Sequence, residues 1–421
     1  MKICWLMYRG NMFCGGQGIY LYYLTRELVK LGHEVHVLAG PPYPEVVEGV
    51  RLHKLESLNL YDRIFYSDGG FLPADQPFRV FTPLNLFEVV ATRLGMFPEI
   101  FTFSVRAYSK LRELLAQHGF DIIHDNQTLG YGLLLMKTFN IPLVATIHHP
   151  LPIDREADIA QASGFREKLR RIMFYPFFMQ HVVSRRMDRI ITDSKSSTER
   201  IVNTFSVPRH SLRLVYPGVD IEMFNRRDGI QGQPNSLIMV GNTEDRKKGV
   251  IYLLKAIKLL KQEMDIKLTI VDRGEPYTTR APKLVKEYGL SDVVTFTGRI
   301  SVEELVRKYC QAEIAVTASV YEGFGLPAAE AMACGAPVVA TRAGALPEVV
   351  DDGKSGILVP PGNEFALAKA IKELLGNAEL RRRMGAEGRK RVERLFTWKE
   401  AAKDLLEVYQ EVMREKNASK G

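Results

Sequence analysis

Cysteine is scarce: the chain has four in 421 residues, Cys4, Cys14, Cys310 and Cys334, with no C-x-x-C and no regular spacing. That implies no disulfide framework, and it predicts free thiols in a reducing cytoplasm. Long apolar runs are missing too. Met1-Lys2 is followed by only five apolar residues, and nothing elsewhere approaches the roughly 18 of a membrane span, so a cytoplasmic protein is expected. Charge of one sign hardly predominates: the net charge of +8 is a mild basic excess that selects no partner by itself, and no nucleic-acid partner is expected. Asp-x-Asp occurs nowhere, which removes one common way of holding a metal-bound diphosphate.

What is present is an alternation of apolar, strand-like runs with stretches of helical spacing. Length and the 46% apolar content predict two or three domains with full cores. Residues 3–7 read as a buried strand, 19–31 as a helix with Tyr20, Leu24, Leu28 and Leu31 on one face, and 32–38 as a turn into a second strand. Further strands are expected at 121–124, 142–148 and 190–194, the last taken as the final strand of a first domain. A second series is expected at 236–241, 267–271, 293–297, 314–317 and 337–340. Such alternation predicts two doubly wound parallel sheets. Ser301 with Glu304 reads as a capping box opening one helix. Residues 59–104 are rich in phenylalanine without a clean period, and no element is assigned there.

The first strand-to-helix loop contains Gly15, Gly16 and Gly18 but lacks the third glycine of G-x-G-x-x-G, and no acid follows the second strand. A dinucleotide site is not expected there. The chemistry concentrates in the second half. Residues 321–330 read Tyr-Glu-Gly-Phe-Gly-Leu-Pro-Ala-Ala-Glu, between a strand and a helix punctuated by Pro327 inside its start and Gly335 past its end. The amides of Phe324, Gly325 and Leu326 then lie at a helix start, where an anion is favoured, with Glu322 and Glu330 on either side to take hydroxyls. Residues 241–249, Gly-Asn-Thr-Glu-Asp-Arg-Lys-Lys-Gly, put Arg246, Lys247 and Lys248 in another strand-to-helix loop, suited to a diphosphate leaving group whose charge grows as a bond breaks.

This pattern resembles the Glu-x7-Glu signature of the retaining group 1, or family 4, glycosyltransferases, and the resemblance covers nearly the whole chain. It implies the GT-B architecture: two facing Rossmann-like doubly wound parallel-sheet domains with an interdomain cleft. The first would span 1–218 and face the acceptor, the second 219–397 and bind the nucleotide-sugar, with the helix at 398–414 packing back on the first. The implied reaction moves a sugar from a UDP- or GDP-sugar to a glycan or lipid-linked acceptor with retention, without metal or other cofactor. The implied roles are Glu322 on the donor sugar, Glu330 on the ribose, Gly15-Gly16 near the donor phosphate, His148 near the donor sugar and Arg299 beside the base. The family has an arginine directly after the first glycine of the cationic loop and a lysine directly before the last. Lys248 matches the lysine, but Asn242 stands where the arginine is expected, so Arg246 is the candidate replacement. His149 stands where aspartate is common.

Residues 166–189 hold seven basic residues against two acids, interleaved with aromatics. Such a segment suits either peripheral contact with an anionic membrane or an ordinary solvated helix face. Two other readings of the whole remain: a non-catalytic nucleotide-sugar-binding partner of another transferase, and a sugar-nucleotide epimerase of the same architecture.

Overall fold

The computed structural model describes residues 1–10, 16–65, 77–148, 164, 168, 174, 177–272, 274 and 279–418. The chain divides into two compact units. One comprises Met1–Asp193, Ser197–Val215 and Ala402–Gly421, and the other Ser194–Ser196 and Tyr216–Ala401.

The first unit is built on seven strands: β1 (Lys2–Met7), β2 (Glu34–Ala39), β3 (Val50–Lys54), β4 (Ile122–Asn126), β5 (Leu143–Ile147), β6 (Arg189–Thr192) and β7 (Leu212–Leu214). They lie in the order β3-β2-β1-β4-β5-β6-β7, every pair parallel. Parallel sheets are covered on both faces, and accordingly residues 3–7 of β1 and all of β4 and β5 are buried. The expectation that residues 190–194 form the last strand is corrected, because β7 adds three residues beyond it. Among its described residues the phenylalanine-rich stretch holds, with shorter turns, the helices Pro83–Arg93 and Glu99–Leu115. The first begins with Thr82 accepting the Asn85 amide and Pro83 in its first turn.

The helix Trp398–Ala418 contributes its residues from Ala402 onward to this unit. Tyr409 pairs its hydroxyl with His124 Nδ1 at 2.5 Å, while His124 Nε2 meets Thr146 Oγ1 at 2.7 Å and its ring stacks on Trp5. Glu411 binds Arg189 and Arg213 of β6 and β7.

In the second unit β8 (Ser236–Val240), β9 (Lys267–Val271), β10 (Val294–Phe296), β11 (Ile314–Thr317), β12 (Val338–Thr341) and β13 (Gly356–Val359) form an all-parallel sheet ordered β10-β9-β8-β11-β12-β13. Ser301 caps the helix Val302–Gln311 through the Glu304 amide. In each sheet the strand order reverses once, between β1 and β4 and between β8 and β11. Ligands of such sheets bind at those switch points, beyond the strand carboxyl ends.

Candidate functional site

At the second sheet's switch point, β8 runs into residues 241–249 and β11 into residues 318–325. Asn242 Oδ1 accepts the Glu244 amide at 3.1 Å, an Asx turn that starts the first loop. Asp245 then accepts the Lys247 amide and caps a 3-10 turn, Arg246–Lys248, that ends at Gly249 in the left-handed region, φ 64°. A side chain at Gly249 would bring a Cβ within 2.0 Å of the Ala318 carbonyl, so only glycine permits this approach of the two loops. Backbone bonds fix the join: Lys247 O accepts the amides of Val320 at 2.7 Å and Tyr321 at 3.4 Å.

An extended backbone would bring Arg246 and Lys248 to one face, but the capped 3-10 turn separates them. Arg246 is exposed, and Lys247 lies 3.8 Å from Asp245. Lys248 alone of the three reaches Glu322, with Nζ 3.0 and 2.9 Å from its two carboxylate oxygens, and Ser319 Oγ donates to Oε2 at 2.9 Å.

The Glu322 turn is held from behind by the end of β12 and the segment that follows it. Thr341 Oγ1 donates to Ser319 O, and Glu322 O accepts the Ala345 amide at 3.0 Å. Gly344, φ 55°, sits where a Cβ would lie 1.9 Å from that same carbonyl. Gly325, φ 105°, precedes the helix Leu326–Ala333. The Phe324 side chain turns away into the core, edge-to-face with Phe396 at 5.4 Å. Among the described residues no group accepts from the amides of Phe324, Gly325 and Leu326. These donors stand at a helix start beside Lys248.

Glu330 lies within that helix and accepts the Tyr309 hydroxyl at 3.2 Å. Burial raises its carboxyl pKa to about 7, with the Tyr309 bond pulling the other way. Arg299 is exposed in the loop after β10. Sequence reasoning missed Ser319, Thr341 and Gly344, and also Asp272, which accepts the Thr243 amide at 2.9 Å and steadies the cationic loop from the end of β9. The signal for Thr341 and Gly344 was their place at and just after the end of a buried strand.

In the first unit, Gly16 opens the helix Gln17–Lys30 in the left-handed conformation, φ 74°, while Gly15 lies outside the described residues. His148 follows β5. Its Nε2 is 2.9 Å from Asn126 Oδ1 at the end of β4, its amide donates to Gln127 Oε1, and Nδ1 is 3.7 Å from Asp193 beyond β6. Three strand ends therefore converge on it, and neither Asn126 nor Asp193 was singled out in the sequence. His149 and most of residues 166–176 lie outside the described residues.

With both sites laid out, comparison with known proteins identifies the family. The family model described as "Glycosyl transferases group 1" matches residues 220–391, and "Glycosyltransferase Family 4" matches 14–223. An "MMP alpha-(1->4)-mannosyltransferase" of Mycolicibacterium hassiacum is 41% identical over 98% of both chains. The chain belongs to the family 4, group 1 glycosyltransferases. A "D-inositol 3-phosphate glycosyltransferase" of Streptomyces bingchenggensis is 30% identical over 70% of this chain and 67% of its own. Among solved structures, "Sucrose-phosphate synthase (tll1590)" from Thermosynechococcus elongatus superposes with a TM-score of 0.76 at 24% identity, covering 99% of this chain and 100% of its own. That structure shares the GT-B fold of this glycosyltransferase, whose two sheets are both parallel.

Proposed function

We propose that this glycosyltransferase moves a hexose, mannose by analogy with its 41% identical relative, from a nucleoside-diphosphate sugar to a hydroxyl of a glycan or lipid-linked acceptor, with retention and without a metal. The observation that carries the reading is the Lys248 ammonium held against Glu322 beside the uncommitted amides of 324–326, at the switch point of the second sheet. A diphosphate bound there meets one cation and a helix start, which stabilise the negative charge that develops on the leaving oxygen. Glu322, released by Lys248 toward the phosphate, takes sugar hydroxyls. Glu330 takes the ribose and Arg299 the base. Asn242 contributes through its turn, and Arg246 and Lys247 supply charge near the diphosphate.

Purified protein incubated with GDP-mannose, UDP-glucose or ADP-glucose in EDTA tests this, with released diphosphate measured and the product anomer assigned by NMR. Transfer or donor hydrolysis with one of them supports the reading. Failure with all three, when nucleotide still binds, favours the non-catalytic partner, which the missing arginine at Asn242 makes the second reading. Peripheral contact with an anionic membrane belongs to the proposal as well. Phe178 at the start of the helix Phe177–Ser184 is 76% exposed, and among the described residues no helix is long and apolar enough to cross a membrane.

A further inference from the structure

Ser194 comes two residues after β6, yet Ser194–Ser196 belongs to the second unit. The residue is fully buried, and its hydroxyl donates to Gly323 O at 2.8 Å across 129 positions of sequence. A trans peptide sets its C=O and N–H in opposite directions. The Gly323 carbonyl and the Phe324 amide belong to one such peptide, so the bond from Ser194 fixes where the Phe324 N–H points. That N–H is one of the three at the helix start for which no described group is an acceptor. The preceding carbonyl, of Glu322, is held by the Ala345 amide, and the Phe324 ring is buried in the core. A donor on the carbonyl also polarises the peptide and makes its N–H the stronger donor.

Ser194 is itself held in place. Glu348 accepts the amides of Lys195 at 2.8 Å and Ser196 at 2.9 Å, and the Tyr216 hydroxyl donates to it at 3.0 Å. Arg391 in turn binds the carbonyls of Glu348 at 2.7 Å and Val349 at 2.8 Å. Glu348 lies in the short helix Leu346–Val349, directly after the Ala345 amide that holds Glu322. One segment therefore fixes the Glu322 carbonyl itself and the Gly323 carbonyl through Ser194.

We propose that Ser194 is a positioning residue of the donor site: through Gly323 O it aims the Phe324 amide at the terminal phosphate of the nucleoside-diphosphate leaving group, where charge develops as the sugar departs. The inference rests on the transferase reading above and adds to it a residue that acts through the backbone without touching the donor.

The test compares wild type, Ser194→Ala and Ser194→Cys in the full chain. Calorimetry with GDP, UDP and ADP, and with GMP, UMP and AMP, measures binding, while diphosphate released from GDP-mannose, UDP-glucose or ADP-glucose gives kcat. In Ser194→Ala, kcat should fall roughly tenfold, the upper end for one hydrogen bond, and diphosphate affinity severalfold, with monophosphate affinity unchanged. Ser194→Cys, whose thiol is a weak donor, should lie between wild type and alanine. A serine needed only for packing would move diphosphate and monophosphate affinities together and make kcat follow the melting temperature. Either result overturns the proposal, as does an alanine variant with wild-type kcat and affinities. If Ser194→Cys does not fold, the split between diphosphate and monophosphate in Ser194→Ala decides alone. The two readings fail separately: a wild type that binds a diphosphate but neither transfers nor hydrolyses its sugar overturns the transferase reading, and the binding split still decides the role of Ser194. A wild type that binds none of the three diphosphates overturns both.

Discussion

Lys248 holds both carboxylate oxygens of Glu322 at 2.9 and 3.0 Å, so the two side chains neutralise each other; in the reading proposed above a diphosphate would take the first and a sugar the second. Lys248→Ala should therefore reduce kcat by about a hundredfold, the order expected for losing one preorganised group that stabilises leaving-group charge. Arg246→Ala, on the exposed side of the 3-10 turn, should change kcat only severalfold. Steady-state kinetics of the two variants decide it. An Arg246→Ala defect as deep as that of Lys248→Ala would return the missing arginine's role to Arg246.

Nucleotide affinity should rise with pH. If Glu330 takes the ribose as proposed, its carboxyl, with the pKa raised to about 7, accepts hydroxyls best when ionised, so calorimetric titration with GDP or UDP should show tighter binding at pH 8 than at pH 6. Glu330→Gln should flatten that dependence. Because the folded value lies above the unfolded one, ionising Glu330 costs stability as pH rises through about 7. The Gln variant should gain stability relative to wild type at pH 8 and not at pH 5.

Acid should weaken the first unit through a histidine pair. His53 Nε2 lies 3.1 Å from His36 Nδ1, and His36 Nε2 is 3.0 Å from Glu34. Burial is the largest cause lowering both imidazoles, His53 to about 4, with His36, Lys110, His118 and Arg51 adding to it for His53. A histidine held neutral by the fold leaves stability intact above about pH 6.5. That stability falls as the pH drops from there toward 4, where the folded state takes up its own proton. Urea unfolding at pH 7 and pH 5 should show this loss, and His53→Gln should reduce it.

Gly344→Ala should damage turnover without unfolding the chain. Its Cβ would collide with the Glu322 carbonyl, and a left-handed alanine costs roughly 1–2 kcal/mol besides. The expected result is a melting temperature lowered by a few degrees and a kcat lowered far more, as the Glu322 turn is displaced. A kcat that falls only in step with the folded fraction would show that the turn tolerates the shift.

Much of the architecture was legible because a parallel sheet buried on both faces writes its strands as unbroken apolar runs, as in Ile3 to Met7 or Ile314 to Val316. The edges were not. β3 reads Val-Arg-Leu-His-Lys with no residue fully buried, and β7 and β13 have only three and four residues, one of the latter a glycine. The Glu322 turn was legible from Gly-Phe-Gly-Leu-Pro. The course of the cationic loop was not, since it depends on Asp245 capping and on the Gly249 contact with Ala318, a residue 69 positions away. His148 could be seen as a strand-end residue, but its pairing with Asp193 requires knowing that β5 and β6 are neighbours.

The backbone bonds from Val320 and Tyr321 to the Lys247 carbonyl bear on how donor preference can be re-engineered. Grafting a relative's 241–249 segment alone would present a foreign carbonyl and a foreign glycine to an unchanged 318–325 turn, and the mismatch would fall on Lys248 and Glu322. The two segments are one exchangeable cassette, and chimaeras of this glycosyltransferase should be cut outside both.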